Sequence, residues 1–260
     1  MNAKDLSLSE NGSRTSYLSR LLDVLDVAIT HERVPLPMSE IAAEAHVPVS
    51  TASRLLALLC RNGFLVPLPR AGYAAGPRML HVAVRALEQL HDADRLKAAV
   101  HDLARQTGES VSAGLLVGDQ IVLVARQEPD HQSLRAVARV GDIIAPHTSA
   151  MGKAVLSRLP ATRQLAVVGT AVGDRATATL AELAHELTAA RADGYAVDEG
   201  TYTVGLRCRA AALLDRDGHA VGGLSIAGPA ARFTHDQAQA TLPALGSQIA
   251  RLSLTPRSTA

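Results

Sequence analysis

The sequence is poor in aromatic residues, which make up 2% of its 260 residues, and it contains no tryptophan. Proteins that bind single-stranded nucleic acid stack bases on aromatic side chains, so this composition argues against that class of binder. Hydrophobic residues still account for 47% of the chain, which is ample for a core built from alanine, valine and leucine.

Cysteines and long apolar runs are equally scarce. The two cysteines, Cys60 and Cys208, are too few for a disulfide framework, which favours a reducing cytoplasm. No apolar run reaches the roughly 18 residues that a membrane-spanning helix needs, and the polar N-terminus does not look like a signal peptide. We expect residues 1–14 and 255–260 to be mobile tails.

The most informative segment is residues 36–79, which read as a helix, a tight turn, a second helix and a two-stranded hairpin. Ser39 is placed to cap the first helix. His46-Val47-Pro48 ends this first helix, because proline disfavours helical backbone in the residue before it, and Ser50 or Thr51 starts the second helix. This layout is typical of a winged helix-turn-helix, which places its second helix in the DNA major groove.

The second helix predicts a buried face and a polar face. Leu55, Leu58 and Leu59 repeat at helical spacing, so they face a core. The opposite face carries short hydroxyls suited to phosphates and Arg54, whose guanidinium can read guanine with two hydrogen bonds. The candidate DNA contacts are Ser39, Val49, Ser50, Thr51, Ser53 and Arg54 on the helix pair, with Arg70 and Tyr73 on the hairpin.

The charge distribution agrees with this interpretation. No acidic residue lies between Glu44 and Glu88, whereas five arginines in that interval give a local charge of +5. The whole chain carries only +1, so its positive charge is concentrated on the predicted DNA-binding segment. The arginines are Arg54, Arg61, Arg70, Arg78 and Arg85.

Two further helices flank this segment. Residues 17–30 form an amphipathic helix whose predicted apolar stripe consists of Leu18, Leu21, Leu22, Leu25 and Ile29. The helix that starts at Arg78 is expected to act as a linker, and its Leu80, Val84 and Leu87 are spaced to pair with a second copy.

The second half alternates between helices and strands. Strands are predicted at 110–117, 120–126, 134–140, 195–197, 206–214 and 220–227, and helices at 96–106, 149–159, 180–193 and 234–252. The pattern predicts a mixed domain of the α+β class.

At this point the sequence resembles the IclR family of bacterial transcriptional regulators over residues 15–253. The first half carries SEIAAEAHVPVSTASRLLALLCRNGFL. The second half adds GDIIAPHTSAMGKAVL, GYAVDEG, GLRCRAA and LSIAGPAARFT in the order and spacing of the family. The chain departs from the family pattern at Arg209, where an aliphatic residue is usual, and at Ala212, where proline is frequent.

The resemblance implies an α+β architecture of three parts. A winged helix-turn-helix at 15–77 is joined by a linker helix at 78–95 to a GAF-like effector-binding domain at 96–254. It further implies a repressor in the bacterial cytoplasm, held at the nucleoid by palindromic operators as a homodimer or a pair of dimers. The effector would be a small molecule, often an organic or aromatic acid. No enzyme activity, cofactor, metal or membrane contact is expected.

The resemblance also places the effector. Ala150 and Met151, followed by Gly152, begin a helix after Ser149, and free N–H groups at a helix start bind anions. Side-chain partners carried over from the family are Asp198, Cys208 and Ser225, with Ile144, Leu206 and Ala227 as an apolar wall. A carboxylate at Asp198 would repel an acidic ligand, so Asp198 either accepts from a ligand hydroxyl or orients a neighbouring loop.

Two alternatives remain open at the level of sequence. Cys208 and Asp198 with His147 or His219 would make a metal-responsive regulator, although the spacing of known metal motifs is missing. Cys208, His147 and Asp198 also invite a cysteine-dependent enzyme, although no nucleophile motif surrounds Cys208. An adaptor that binds membranes or partners has no exposed apolar or polybasic segment to support it.

Overall fold

The computed structural model describes residues 16–88, 92–129 and 138–252. These residues belong to two compact units, one N-terminal and one C-terminal. The tails predicted at 1–14 and 255–260 lie outside the described residues, as does most of the strand predicted at 134–140. None of the helices in the described ranges has the length and apolarity required to cross a bilayer.

The N-terminal unit contains four helices and a hairpin within the described residues. They are α1 (Tyr17–Thr30), α2 (Met38–Glu44), α3 (Val49–Arg61), β1 (Leu65–Leu68), β2 (Gly72–Ala75) and α4 (Pro77–Glu88). The core between α1, α2, α3 and β1 is built from aliphatic side chains, among them Val24, Ile41, Leu55, Leu59 and Leu65. The predicted helix-turn-helix with its wing is therefore present.

The predicted caps of α2 and α3 are wrong. Both helices begin after a proline, Pro37 and Pro48, in extended backbone, and neither has a side-chain cap. Proline is favoured there because its fixed φ already suits the entry to a helix. Ser39 and Ser50 instead lie inside the first turns with exposed side chains, so their hydroxyls remain available for other contacts.

The predicted apolar stripe of α1 is also partly wrong. The fully buried residues are Val24 and Ala28, whereas Leu18 and Leu22 are 67% and 62% exposed. The other three residues of the predicted stripe, Leu21, Leu25 and Ile29, do pack against the core. Helix α4 buries none of its residues within this unit.

The C-terminal unit is a six-stranded antiparallel sheet with helices on both faces. The strands are β3 (Ser110–Val117), β4 (Gln120–Gln127), β5 (Ile143–Ile144), β6 (Ala196–Asp198), β7 (Leu206–Leu214) and β8 (Ala220–Pro229), in the order β5-β4-β3-β8-β7-β6. The helices are α5 (Ala93–Thr107), α6 (Ala150–Leu156), α7 (Ala161–Val172), α8 (Ala176–Asp193), α9 (His235–Ala240) and α10 (Leu242–Arg251).

The two sheet faces have different coverings. Helices α6, α7 and α8 share a core with one face, which we call the α6 face, while α5 and α10 pack on the strands from the other side. Several elements of this unit differ from the sequence prediction. Helix α7 and strand β5 were not predicted, α6 is shorter and α8 longer than predicted, and the terminal helix is divided at Thr241.

A β-bulge in the β3–β4 pair changes which residues point to the α6 face. Ala113 pairs with Ala125 but Gly114 pairs with Leu123, so one residue of β4 is extra. Ile121 and Leu123 face the α6 core, and strict alternation would put Arg126 on the opposite face. The bulge reverses this, and Arg126 lies opposite Ser112 on the α6 face.

Candidate DNA-binding surface and ligand site

The first two turns of α3 present a polar, solvent-exposed face. Val49 is 52% exposed, and Ser50, Ser53 and Arg54 are exposed beside it, while Thr51 is half-buried. The opposite face buries Ala52, Leu55, Leu56 and Leu59, so packing fixes which side of α3 meets solvent. No hydrogen bond or ion pair with another described residue engages the Arg54 guanidinium, which leaves it able to contact a ligand.

The five arginines of this segment are not equivalent. Arg85 forms a 2.7 Å ion pair with Glu88, and the Arg78 guanidinium lies 5.0 Å from the centre of the Phe64 ring. Arg54, Arg61 and Arg70 are exposed and make no such contact within the described chain. The positive charge that is free to meet phosphate therefore lies on α3 and on the hairpin.

The hairpin is held against the loop that precedes α2. Leu36 and Tyr73 exchange both backbone hydrogen bonds, which adds a third short strand to the wing. A side chain on Gly72 would lie 2.2 Å from the Leu36 carbonyl oxygen, so only glycine allows this approach. Tyr73 is consequently half-buried against the core, and its ring is less available to DNA than predicted.

The hairpin tip carries a conformational cost. The Ala71 N–H donates to the Leu68 carbonyl, with Pro69 and Arg70 at the two central positions of the turn. Arg70 has a φ of 63°, at a turn position that normally takes glycine. A non-glycine residue in this region costs on the order of 1 kcal/mol, and such strain concentrates at functional positions.

Replacing Arg70 with glycine is expected to separate stability from DNA binding. The unit should gain up to about 1 kcal/mol in urea unfolding, because the strain disappears. Affinity for DNA should nevertheless fall by a few-fold, because one positive charge leaves the wing. Arg70→Lys is the matched control: it keeps both charge and strain and should change neither quantity much. Equal DNA binding by Arg70→Gly and the wild type would remove Arg70 from the interface.

On the α6 face of the sheet, the strand register gathers most of the predicted ligand residues. Asp198 pairs with Cys208, and Cys208 pairs with Ala227, so these three form one row. Ser225 lies in the next row, between Ala210 and Ser112. Leu206 shares this face with Cys208 by alternation, although it lies two positions further towards the strand end.

Helix α6 covers this face. Ala150 and Met151 are buried, and the Met151 side chain lies over Gly114 and Gly223, where any added Cβ would come within 2.7 Å of it. Gly152 packs on Pro146, where a Cβ would be 2.4 Å from the proline Cα, so Gly152 serves packing. Ile144 is also buried, on edge strand β5, within the same core.

The start of α6 is less open to an anion than predicted. The helix has seven residues, and the Ser149 hydroxyl already accepts a hydrogen bond from the Gly152 N–H at 3.0 Å. A short helix with a side-chain cap offers few free donors to a ligand.

Asp198 organises the loop that follows β6. Its Oδ1 accepts hydrogen bonds from the backbone N–H groups of Gly200, Thr201 and Tyr202, at 3.2, 2.7 and 3.4 Å. Its side chain is buried. Of the two roles predicted for Asp198, orientation of a neighbouring loop is the one that these contacts favour.

Cys208 is a partly buried, neutral thiol that packs against the α6 core. Burial, followed by the charge of Asp198, raises its pKa to about 12, against a lowering contribution from the Ser225 hydroxyl. A thiol with this pKa supplies almost no thiolate at neutral pH, and thiolate is the reactive form.

The surroundings of His147 and His219 do not support a metal-responsive regulator or a cysteine-dependent enzyme. Burial and the charge of Arg175 lower the pKa of His147, and His219 lies 3.6 Å from Asp215 in the β7–β8 turn. Over the described ranges, the side chains that meet closely enough to hold a metal are Asp215, Asp217 and His219. Neither histidine therefore joins Cys208 in a catalytic or metal-binding arrangement.

Arg126 also lies on this face, although it is not among the ligand residues predicted from the sequence. Its side chain is 10% exposed, and Nη1 donates to Ser112 Oγ at 3.0 Å. Tyr202 is its neighbour: burial raises the tyrosine pKa, Asp142 adds to this, and the charge of Arg126 opposes it. The β-bulge that places Arg126 here leaves no clear mark in the sequence.

Comparison with known proteins covers both units. Residues 17–69 match the family described as IclR helix-turn-helix domain, and residues 84–253 match Bacterial transcriptional regulator IclR C-terminal. The transcriptional repressor AllR of Klebsiella pneumoniae is 31% identical over 211 residues, covering 77% of this chain and 75% of that protein. The transcriptional regulator BhcR of Paracoccus denitrificans is 29% identical over 231 residues, covering 87% and 82%.

Solved structures agree on the fold. An IclR homologue from Microbacterium hydrocarbonoxydans, complexed with 4-hydroxybenzoate, superimposes with a TM-score of 0.69 at 20% identity. The match covers 90% of this chain and 97% of that one. The predicted α+β class, with an N-terminal helix-turn-helix and a C-terminal sheet domain, is thereby confirmed.

Proposed function

Because this chain belongs to the IclR family of bacterial transcriptional regulators, we propose that a small organic acid controls its affinity for a specific operator. Its relatives are transcriptional regulators and repressors, and their helix-turn-helix implies DNA binding. The observation that carries the proposal is the exposed polar face of α3, where Arg54 lies beside Ser50 and Ser53 and forms no ion pair within the described part of the chain. This face has the dimensions and chemistry to enter a major groove.

The effector site of this proposal is the α6 face of the C-terminal sheet. Asp198, Cys208 and Ser225 lie there in adjacent rows, and the Met151 side chain covers Gly223, two positions from Ser225 on the same strand. The complex of a structural neighbour with 4-hydroxybenzoate supports an aromatic or other small acid as the ligand class. A ligand changes operator affinity only through its different affinity for two arrangements of the regulator.

We also propose that the functional unit is a homodimer on a palindromic operator, alone or as a pair of dimers. Two apolar surfaces of the N-terminal unit support this proposal. Leu18 and Leu22 on α1 are exposed, and α4 exposes Leu80, Val84 and Leu87, each to more than half. Exposed apolar surface of this kind marks a protein interface, and two-fold symmetry matches a palindromic site.

The test of the operator proposal is a fluorescence anisotropy titration of the full-length chain on DNA that flanks its own gene, at several salt concentrations. Tight, salt-sensitive binding to one palindromic fragment is expected, with small acids screened on that complex. Weak binding of equal strength to every fragment would contradict operator recognition.

Ser225→Ala and Asp198→Ala are expected to leave DNA affinity intact and weaken the response to effector. Ser225→Ala removes one hydroxyl from the pocket and should reduce the response by several-fold. Asp198→Ala also releases the loop at 200–202, so its effect should be larger. The measurement is the effector concentration that half-dissociates the operator complex. Thr188→Ala, an exposed hydroxyl on α8, is the control. An unchanged response in both variants would move the effector away from this face.

A further inference from the structure

Arg126 brings a buried positive charge to the α6 face. Its side chain is 10% exposed, and the β-bulge turns it to the side on which Ser112 and Ser225 lie. Burying a guanidinium is costly unless its hydrogen bonds are met, so its partners and free donors are informative.

The guanidinium has more donors than its described partners use. Nε and Nη2 both donate to Glu128 Oε1 at 3.3 Å, and Nη1 donates to Ser112 Oγ at 3.0 Å. With one N–H on Nε and two on each terminal nitrogen, these bonds leave one N–H on Nη1 and one on Nη2. A guanidinium can hold a carboxylate by two parallel hydrogen bonds along the edge between its two terminal nitrogens or along the edge that includes Nε, and here Glu128 occupies the edge that includes Nε.

The strand register places Arg126 on the proposed effector face. Arg126 pairs with Ser112, which pairs with Ser225, and the row of Ser225 lies next to the row of Asp198 and Cys208.

Two other cations act on Cys208: Arg209, whose Nη2 is held by Glu199 at 2.8 Å, and Lys153, whose Nζ is held by Glu186 at 2.6 Å. Arg126 is paired as well, with Glu128 Oε1 at 3.3 Å, but its planar guanidinium keeps two further donors and can hold a carboxylate with two parallel hydrogen bonds, which the Lys153 ammonium cannot.

We propose that Arg126 binds the carboxylate of the effector and sets the preference of this pocket for small carboxylic acids over their neutral analogues. The remainder of the acid then extends along the row of Ser112 and Ser225 towards Cys208. Glu128 holds the guanidinium from its Nε side, so the arginine is oriented before the ligand arrives. This inference rests on the proposed effector function, because it assigns the charge recognition of that same site.

The experiment compares acids with their amides on the full-length protein. Binding of 4-hydroxybenzoate and 4-hydroxybenzamide, benzoate and benzamide, and lactate and lactamide is measured by calorimetry and by release of operator DNA. The variants are Arg126→Gln, which removes the charge, and Arg126→Lys, which keeps the charge and loses the two-pronged geometry. Arg163→Gln is the control, because Arg163 pairs with Asp119 at the far end of the β3–β4 hairpin.

The expected result is that the wild type prefers the acid of at least one pair. Arg126→Gln should then bind that acid at least about tenfold more weakly and the amide unchanged, with a smaller loss in Arg126→Lys. Arg163→Gln should keep the wild-type preference. If Arg126→Gln does not fold, the loss of acid preference in Arg126→Lys decides the matter.

Two results would overturn the assignment. A preference for the acid that survives both substitutions, or equal binding of acid and amide by the wild type, would refute the role of Arg126 while the effector function stands. Failure of every compound both to bind and to release DNA would instead refute the acid-effector function itself, and the assignment with it.

Discussion

Replacing Glu199 with alanine is expected to lower the free energy of unfolding of the C-terminal unit by about 3 kcal/mol. Glu199 Oε1 lies 2.8 Å from Nη2 of Arg209, a side chain with no exposed surface, and Oε2 pairs with Arg207. Without Glu199, the Arg209 guanidinium retains the Cys208 carbonyl at 3.0 Å and His235 Nδ1 at 3.3 Å, and its Nε has no partner among the described residues. The value is at the low end for buried pairs because Glu199 is 43% exposed.

Urea unfolding of the full-length protein measures this loss, with two further variants as controls. Glu182→Ala removes an exposed glutamate from α8 and should change stability by less than about 0.5 kcal/mol. Arg209→Met in the Glu199→Ala background removes the stranded charge and should recover much of the loss, because apolar replacements of buried ion pairs are well tolerated. Equal effects of Glu199→Ala and Glu182→Ala would show that water solvates Arg209 adequately.

The same contact predicts a dependence on pH. Burial would raise the pKa of Glu199, but the hydrogen bonds and charges of Arg207 and Arg209 outweigh it and hold the pKa below its ordinary value of 4.5. A carboxyl whose pKa is depressed by folding contributes stability above its unfolded pKa and loses it as the pH falls through the folded pKa. The stability difference between the wild type and Glu199→Ala should therefore be constant above about pH 5 and narrow below pH 4.5.

Asp198 and Glu199 show what sequence does and does not reveal about a site. The pair was identified from a motif, and alternation along the strand implies that neighbours point to opposite faces. The two carboxylates do have separate partners. Asp198 orders the loop at 200–202, and Glu199 pairs with Arg207 and Arg209 on the other side. The loop contacts of Asp198 agree with one of the two roles predicted for it. The arginine partners of Glu199 were not predictable, because they lie on strand β7, whose register no local pattern encodes.

Arg126 is the main site residue that the sequence does not predict, and the reason is again the pairing of strands. Arg126 follows an alternating strand, in which Ile121 and Leu123 face inward, so simple periodicity assigns it to the other face. One extra residue in β4 reverses the assignment. By contrast, the helix-turn-helix was predictable because it is short and its signals are local. Its caps were misassigned, since proline entry and a serine cap both mark the start of a helix, and the exposure of Leu18, Leu22 and Tyr73 depends on packing that local signals do not encode.

Replacing Arg54 with alanine is expected to weaken operator binding by about 10- to 100-fold, which corresponds to 1–3 kcal/mol for a two-pronged contact to guanine. The side chain is exposed on α3 and has no partner among the described residues, so the change should leave folding intact. The measurement is the ratio of affinities for the selected operator and for an unrelated duplex of equal length, at fixed salt.

The Arg54→Lys variant distinguishes a phosphate contact, which needs only the charge, from a guanine contact, which needs the planar guanidinium. Arg54→Lys keeps the charge, so binding to the unrelated duplex and its salt dependence should be preserved, but the planar fork that reads guanine is lost. Arg105→Ala, an exposed arginine on α5, controls for the loss of net charge and should leave both affinities unchanged. If Arg54→Lys discriminates as well as the wild type, Arg54 contacts phosphate. Specificity must then come from Ser50, Ser53 and Val49, the other exposed side chains at the start of α3.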